Sequence, residues 1–228
     1  QEALSGGALP WNFEQMSATP ALTGPELTAY LDLPNRAGTR RWILVEPLPR
    51  SDYDLETRAR DLVEQMLAGK IKGADAIFVA RPFDDERGLM NDAGAPTDLF
   101  LPWRTAASLL GGTKYVGSID LPGGSHNRVF ETKQGEFLMV VWGDEPCEEA
   151  AYLGDDVRVV DVWGREELAD AQGDQQMIKV DRLPRFVLGL NPAVARWRMD
   201  TRFAVKHVPS VFGAPPNNKL QLHNPFPQ

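Results

Sequence analysis

Cysteine is almost absent from this sequence, since Cys147 is the single one in 228 residues. One thiol cannot form a disulfide within the chain, and the usual zinc sites need several Cys or His ligands at close spacing. The 3 histidines, His126, His207 and His223, are isolated from one another along the sequence. The sequence therefore predicts no disulfide framework, no metal site and no cofactor.

Positive charge and long apolar runs are also scarce. The chain has 24 Lys and Arg against 32 Asp and Glu, a net charge of -8, which argues against sequence-independent binding to nucleic acid. The longest apolar run, Phe137 to Trp142, has the length of a strand, whereas a membrane span needs roughly 18 to 20 apolar residues. We therefore expect no nucleic-acid partner and no membrane span. What the chain does have, 43% hydrophobic and 25% charged residues, is typical of folded domains.

Residues 41–112 have the pattern of alternating strands and helices. Trp42 to Val45 and Ala76 to Ala80 are continuous apolar runs, which predict strands buried on both faces. Between them lies a helical stripe that Asp52 or Asp54 can cap. Its apolar residues recur at steps of three and four: Leu55, Ala59, Leu62, Val63, Met66, Leu67 and Ile71. Strand, helix and strand in this order predict two parallel strands with a right-handed crossover.

A further helix is expected from Pro102 to Leu110, and from Thr113 the pattern changes to short strands separated by turns. This spacing is typical of an antiparallel β-sandwich of roughly 85 residues. The predicted strands are Lys114–Leu121, Asn127–Thr132, Phe137–Trp142, Ala150–Leu153, Val157–Trp163, Gln176–Val180 and Arg185–Leu188.

Four segments divide the chain in this interpretation. They are 1–40, irregular and partly helical; 41–112, the βαβα part; 113–198, the sandwich; and 199–228, a linker and the start of a further β domain. In the last segment, Phe203–Val208 and Lys219–His223 are strand-like.

Parallel strands with two apolar faces need neighbouring strands, and residues 1–40 are too poor in strands to supply them. Since the chain also begins at Gln1 without Met, we expect a piece of a longer protein; deliberate shortening is the alternative.

Several stretches resemble the C-terminal region of clan A glycoside hydrolases. Pro102–Gly112 is similar to the last barrel helix, which leads directly into a sandwich, and Gly135–Trp142 is similar to the central strand of that sandwich. Val160–Arg165 and Leu183–Gly189 are similar to its closing strands. The resemblance covers about residues 41–198. It implies an α/β plus all-β fold, with the last β/α units of a TIM-like barrel followed by an antiparallel β-sandwich.

Glu46 directly follows the strand Trp42–Val45, and catalytic groups of β/α barrels lie at the carboxyl ends of strands. In the family that the chain resembles, the nucleophile is a glutamate at the end of the seventh strand. If the strand with Ile77 is the eighth, the resemblance makes Glu46 the candidate nucleophile. A retaining mechanism also needs an acid/base carboxyl about 5 to 5.5 Å away, which in the family comes from the fourth strand, absent here. The structural alternative is a glutamate that pairs with an arginine such as Arg50.

The loop after the second strand carries further candidate substrate-binding residues: Asp84, Asp85, Glu86, Arg87, Asn91 and Asp92. Carboxylates and amides suit hydrogen bonds to sugar hydroxyls, and clustered oxygens would also suit Ca²⁺, although this spacing matches no calcium loop. A solvated acidic loop is the structural alternative.

Among the tryptophans, Trp11 is the one considered for a binding surface, because the others lie in or beside apolar segments.

Two functional hypotheses follow. The first is a fragment of a glycoside-hydrolase-like enzyme that acts on glycans, packs against upstream barrel units and is inactive by itself without the acid/base residue. The second is a non-catalytic carbohydrate-binding or scaffold module of a surface or exported protein. Under both, we expect a glycan ligand and an exported location (periplasmic, cell-surface or extracellular), while a cytoplasmic location stays open.

Overall fold

The computed structural model describes residues 11–14, 40–203 and 219–221. Two compact units are present. Of the described residues, the first contains 11–14 and 40–115 together with the short segments 161–165 and 182–184, and the second contains 116–160, 166–181, 185–203 and 219–221. In the described residues no helix combines the length and the apolar character needed to cross a membrane.

A parallel sheet forms the centre of the first unit. Its strands are β1 (Trp11–Glu14), β2 (Arg40–Val45) and β3 (Ala76–Val79), in the order β1-β2-β3 with both pairs parallel. Helix α1 (Leu55–Ile71) connects β2 to β3, and helix α2 (Phe100–Leu110) follows β3 after a long loop. The predicted succession of parallel β/α units is therefore confirmed.

Helix α1 begins and packs as its sequence pattern predicts. Asp54 is the N-cap, and its carboxylate accepts a hydrogen bond of 2.8 Å from the backbone N–H of Thr57. The helix approaches the sheet closely at Gly69, where an added Cβ would lie 2.9 Å from Cδ1 of Ile77 and 3.2 Å from Cδ1 of Ile43. The apolar stripe of α1 thus covers one face of β2 and β3.

Two expectations about the parallel strands need correction. The prediction that both strands are buried on both faces is wrong for β3, because Phe78 is 43% exposed. Its ring lies 5.6 Å from that of Trp42, and in the described sheet β3 pairs with β2 alone. The sequence analysis also missed β1, which contains Trp11. A four-residue strand gives too short a pattern to stand out from an irregular region.

Antiparallel strands build the second part of the fold. A six-stranded sheet has the order β4-β5-β6-β12-β8-β9, and a three-stranded sheet has the order β10-β11-β7. The strands are β4 (Lys114–Gly117), β5 (His126–Glu131), β6 (Phe137–Trp142), β7 (Cys147–Ala151), β8 (Arg158–Val160), β9 (Glu166–Leu168), β10 (Asp170–Gln172), β11 (Gln175–Val180) and β12 (Arg185–Leu190).

The two sheets share one apolar core, as a sandwich requires. From the six-stranded sheet it takes residues such as Val129, Met139 and Val187, and from the three-stranded sheet Ala151 and Ile178. All of these side chains are fully buried or nearly so. Antiparallel sheets after the β/α units were predicted, and the structure confirms them.

A buried carboxylate fixes one turn of this sandwich. Glu149 on β7 is fully buried and accepts hydrogen bonds from the backbone N–H groups of Gly123 at 2.7 Å and Ser125 at 3.0 Å. The hydroxyl of Ser125 donates to the same carboxylate. Because a buried charge is costly unless hydrogen-bonded, the turn and the carboxylate stabilise each other.

The end of the second unit contains a helix that the sequence analysis did not predict, α3 (Pro192–Asp200). Asn191 caps it by accepting from the backbone N–H groups of Ala193 and Val194, and Pro192 occupies the first turn. Beyond it, β13 (Arg202–Phe203) pairs with β14 (Leu220–Gln221). The remainder of the predicted tail strands, and with it the predicted further β domain, lies outside the described residues.

Candidate functional site at the strand ends

Glu46 lies at the carboxyl end of β2, beside the end of β3. The parallel register pairs Val45 with Val79, and the backbone N–H of Ala80 donates to the carbonyl of Val45 at 2.8 Å. The segments that leave both strands therefore start next to each other. This brings Glu46 close to residues that follow it by more than thirty positions in the sequence.

Two arginines bind the same carboxylate oxygen of Glu46. Arg87 donates from Nη1 to Oε1 at 2.8 Å, and Arg81 donates from Nη2 to Oε1 as well. Within the described residues Oε2 accepts no hydrogen bond, and the Glu46 side chain is 13% exposed. The expected pairing of Glu46 with an arginine is present in the structure, but the partners are Arg81 and Arg87 instead of Arg50.

Arg81 has an unusual backbone conformation. Its φ of 48° places it in the left-handed region, and no other non-glycine residue of the described chain has a positive φ. This conformation costs about 1 to 2 kcal/mol for an L-residue. Such strain persists where the surrounding structure imposes it, and it is concentrated at functional sites. Here the strained turn directs the chain out of β3 while the guanidinium reaches back to Glu46.

The predicted loop residues have mainly internal partners. Asp84 accepts through Oδ1 from the backbone N–H groups of Glu86 at 3.0 Å and Arg87 at 2.8 Å. In the same way, backbone N–H groups donate to the side chains of Asp85, Glu86 and Asn91: those of Asp92, Ser51 and Ala95, respectively. Of the six candidates, Arg87 is the one that the structure brings to Glu46. The others fold the loop that carries it.

Arg58 is a residue that sequence reasoning missed. It is buried on α1 and donates to the carbonyl of Leu48 at 3.0 Å, to the carbonyl of Glu86 at 3.4 Å and to the carboxylate of Asp98 at 3.1 Å. These bonds join the helix to the loops after both strands. An arginine next to Ala59 in the apolar stripe was the available signal, since a buried charge requires partners.

A second polar pair, the buried Gln65 and the half-buried Asp61, lies on α1. The side-chain amide of Gln65 donates to Oδ2 of Asp61 at 2.6 Å and to the backbone carbonyl of Glu46 at 3.4 Å. Burial raises the pKa of Asp61 to about 7; the hydrogen bond from Gln65 opposes this change and the charge of Glu64 adds to it. Asp61 therefore titrates in a physiological pH range, and Gln65 links it to the end of β2.

The chemistry available here is that of a carboxylate held by two guanidinium groups. Oε1 of Glu46 is engaged by both arginines, whereas Oε2 accepts no hydrogen bond from the described residues and keeps its capacity to accept one. Among the described residues, no group of three or more His, Cys, Asp or Glu side chains is placed to hold a metal ion.

Comparisons with known proteins identify the fold. No protein-family model and no curated protein matches the chain. A family 39 glycoside hydrolase from the gut symbiont Bacteroides cellulosilyticus matches with a TM-score of 0.58 at 15% identity, over 74% of this chain and 38% of that one. A GH30 endoxylanase from Clostridium papyrosolvens has a TM-score of 0.48 at 12% identity, over 68% of this chain and 43% of that one.

These matches concern architecture. The chain is similar in fold to part of the family 39 glycoside hydrolase and spans less than half of the length of that protein. The resemblance seen in the sequence is thus confirmed at the level of fold.

Proposed function

We propose that this chain contributes a strand-end carboxylate to a larger glycan-active protein of glycoside-hydrolase architecture, with Glu46 as its nucleophile. The observation that carries the proposal is the position of Glu46: it ends a parallel strand, and its Oε1 is held by Arg81 and Arg87 while Oε2 accepts no hydrogen bond from the described residues. The similarity in fold to part of a family 39 glycoside hydrolase supports this proposal.

The two arginines suit the proposed role. A nucleophile must be correctly oriented, and two guanidinium groups on one oxygen restrain the rotation of the Glu46 carboxylate. Arg58 supports them indirectly, because it binds the carbonyl of Glu86, the residue before Arg87. The acid/base carboxyl of a retaining mechanism, about 5 to 5.5 Å from the nucleophile, would come from further β/α units of the protein.

The experiment is glycan hydrolysis by the full-length protein, compared with its Glu46→Gln variant. Removal of a covalent nucleophile should lower kcat by at least about a thousandfold, as loss of catalytic groups in other enzymes does. The matched control is Glu166→Gln, which breaks the ion pair with Arg158 in the second unit. Hydrolysis that Glu46→Gln leaves unchanged would remove Glu46 from the mechanism.

A non-catalytic glycan-binding module is the second candidate function. It is favoured by the involvement of Glu46 in ion pairs with two arginines, which is also how a purely structural carboxylate is held. Calorimetry separates the two functions: binding of oligosaccharides by the full-length protein without any turnover would support the module. For the 228-residue chain alone we expect no hydrolysis.

A further inference from the structure

The cluster formed by Glu46, Arg81 and Arg87 carries an excess of positive charge. Two guanidinium groups meet one carboxylate, which leaves the cluster with a net charge of one positive unit. The ion pair between Arg165 and Asp161 differs from it, because there one arginine meets one carboxylate. A cluster of two cations and one anion becomes neutral when it binds a single negative group.

Most of the hydrogen-bond donors of these arginines are unused within the described chain. A guanidinium has five N–H donors in a planar fork. The side chains of Arg81 and Arg87 each donate one hydrogen bond to a described residue, and both go to Oε1 of Glu46. Arg81 is 62% exposed and Arg87 is 27% exposed, so a ligand can reach both.

Neighbouring carboxylates are occupied by other donors. Asp84 accepts from two backbone N–H groups of its own loop, Glu86 accepts from the backbone N–H of Ser51, and Asp98 accepts from Arg58. These carboxylates accept no hydrogen bond from the guanidinium of Arg81. Their charges do lower the local potential, so the cluster suits one anionic group better than a densely charged polymer.

We propose that Arg81 and Arg87 form a subsite for the negatively charged substituent of an acidic sugar, beside Glu46. The ligand group is a uronic-acid carboxylate or a sulfate ester, since both present paired oxygens to which a guanidinium donates two parallel hydrogen bonds. This inference rests on the proposed function, because it names the substrate class for that same site. The ion pair with Glu46 keeps the guanidinium of Arg81 at the strand end in advance of binding.

The test is calorimetric titration of the full-length protein with matched oligosaccharides. One pair is an oligogalacturonide and its methyl ester, which differ in charge but not in sugar. The other is a sulfated chondroitin tetrasaccharide and its desulfated form, so the two pairs distinguish a carboxylate from a sulfate ester. The charged member of at least one pair should bind about tenfold more tightly than its neutral or less charged partner.

Arginine variants assign the preference to the cluster. Arg81→Gln should abolish the preference for the charged member, and Arg81→Lys should retain part of it, since an ammonium keeps the charge without the fork. Arg165→Gln is the control, because it removes an exposed arginine of an ordinary ion pair. Measurable binding of both members with equal affinity by the unmodified protein would overturn the inference, as would a preference that survives in Arg81→Gln.

A small anion separates this inference from the proposed function. Glucuronate and glucose are titrated while the side-chain NMR signals of the arginines are followed. A response of Arg81 to glucuronate and not to glucose, with no oligosaccharide bound, supports the anion subsite and contradicts glycan function. Binding of neutral oligosaccharides alone supports glycan function and contradicts the subsite. No response to any probe contradicts both.

Discussion

Gln65 donates a 2.6 Å hydrogen bond to the carboxylate of Asp61 one helical turn earlier, so that a buried amide of α1 is paired with a half-buried carboxylate. The same amide nitrogen lies 3.4 Å from the backbone carbonyl of Glu46. A residue on the helix is thereby connected to the strand end that carries the candidate nucleophile. The protonation state of Asp61 therefore matters for the stability of the first unit.

The free energy of unfolding should fall as the pH rises through 7, because Asp61 then loses its proton in the folded chain. Burial raises the pKa of Asp61 from 3.8 to about 7, so the folded chain favours the protonated carboxyl more strongly than the unfolded chain does. This contribution is fully present below pH 3.8 and is lost as the pH rises through about 7. Asp61→Asn, which cannot ionise, should therefore melt several degrees above the unmodified chain at pH 8 and show a much smaller difference at pH 4.

Thermal unfolding followed by circular dichroism across pH 4 to 9 measures this effect. The control is Asp120→Asn, the same change at an exposed site. A constant difference between Asp61→Asn and the unmodified chain at every pH would show that Asp61 does not titrate as expected.

Replacement of Arg58 by Met should be strongly destabilising. The buried guanidinium donates to the carbonyls of Leu48 and Glu86 and to the carboxylate of Asp98, and Met can make none of these hydrogen bonds. We expect the free energy of unfolding to drop by about 2 to 3 kcal/mol. Urea unfolding measures the loss, and hydrogen exchange should show faster opening of the loop at 82–98.

A matched arginine on the same helix provides the comparison. Arg60 pairs with Glu64 one turn later, closer to the surface, and Arg60→Met should cost less than about 1 kcal/mol. Equal losses of unfolding free energy for the two variants would show that Arg58 does not stabilise the junction between α1 and the loops more than an ordinary ion pair does.

Glu149→Gln should destabilise the second unit although the shape of the side chain is nearly conserved. An amide presents N–H donors where the carboxylate accepts from Gly123 and Ser125, so at least one of these hydrogen bonds is lost in a fully buried place. The expected cost is about 2 kcal/mol. Glu148→Gln changes the exposed neighbour on β7 and should leave the free energy of unfolding nearly unchanged. If Glu149→Gln also left it unchanged, the turn would not depend on the carboxylate.

Regular elements were predictable because their signals are local. The spacing of Leu62, Met66 and their neighbours determines the inner face of α1, and Asp54 marks its start. The burial of β3 was not predictable in the same way. An apolar run such as Ala76–Ala80 indicates a strand, but the exposure of Phe78 depends on which strands lie beside it. The cap formed by Asn191 and Pro192 was a usable signal for α3 that the sequence analysis did not apply.

The candidate site was predictable in position but not in detail. Glu46 follows a strand, and the strand was recognised from its apolar residues. Its arginine partner was sought at Arg50, four positions away, whereas the observed partners follow it by 35 and 41 positions. Their approach depends on the register between β2 and β3, which the sequence does not encode locally. The carboxylates of the loop were candidates for ligand binding, with a solvated loop as the alternative. Asp84 shows the familiar preference of such side chains for nearby backbone N–H groups, and ligand binding by the loop stays a prediction.

The exposed ring of Phe78 on β3 has a practical consequence for work with the isolated chain. Within the described residues β3 pairs with β2 alone, so its other side presents backbone groups to which no described strand is bonded, and the exposed ring of Phe78 lies on the same strand. Such an edge promotes strand-to-strand aggregation at high protein concentration. Phe78→Lys should therefore keep the chain monomeric in light-scattering measurements at concentrations where the unmodified chain precipitates.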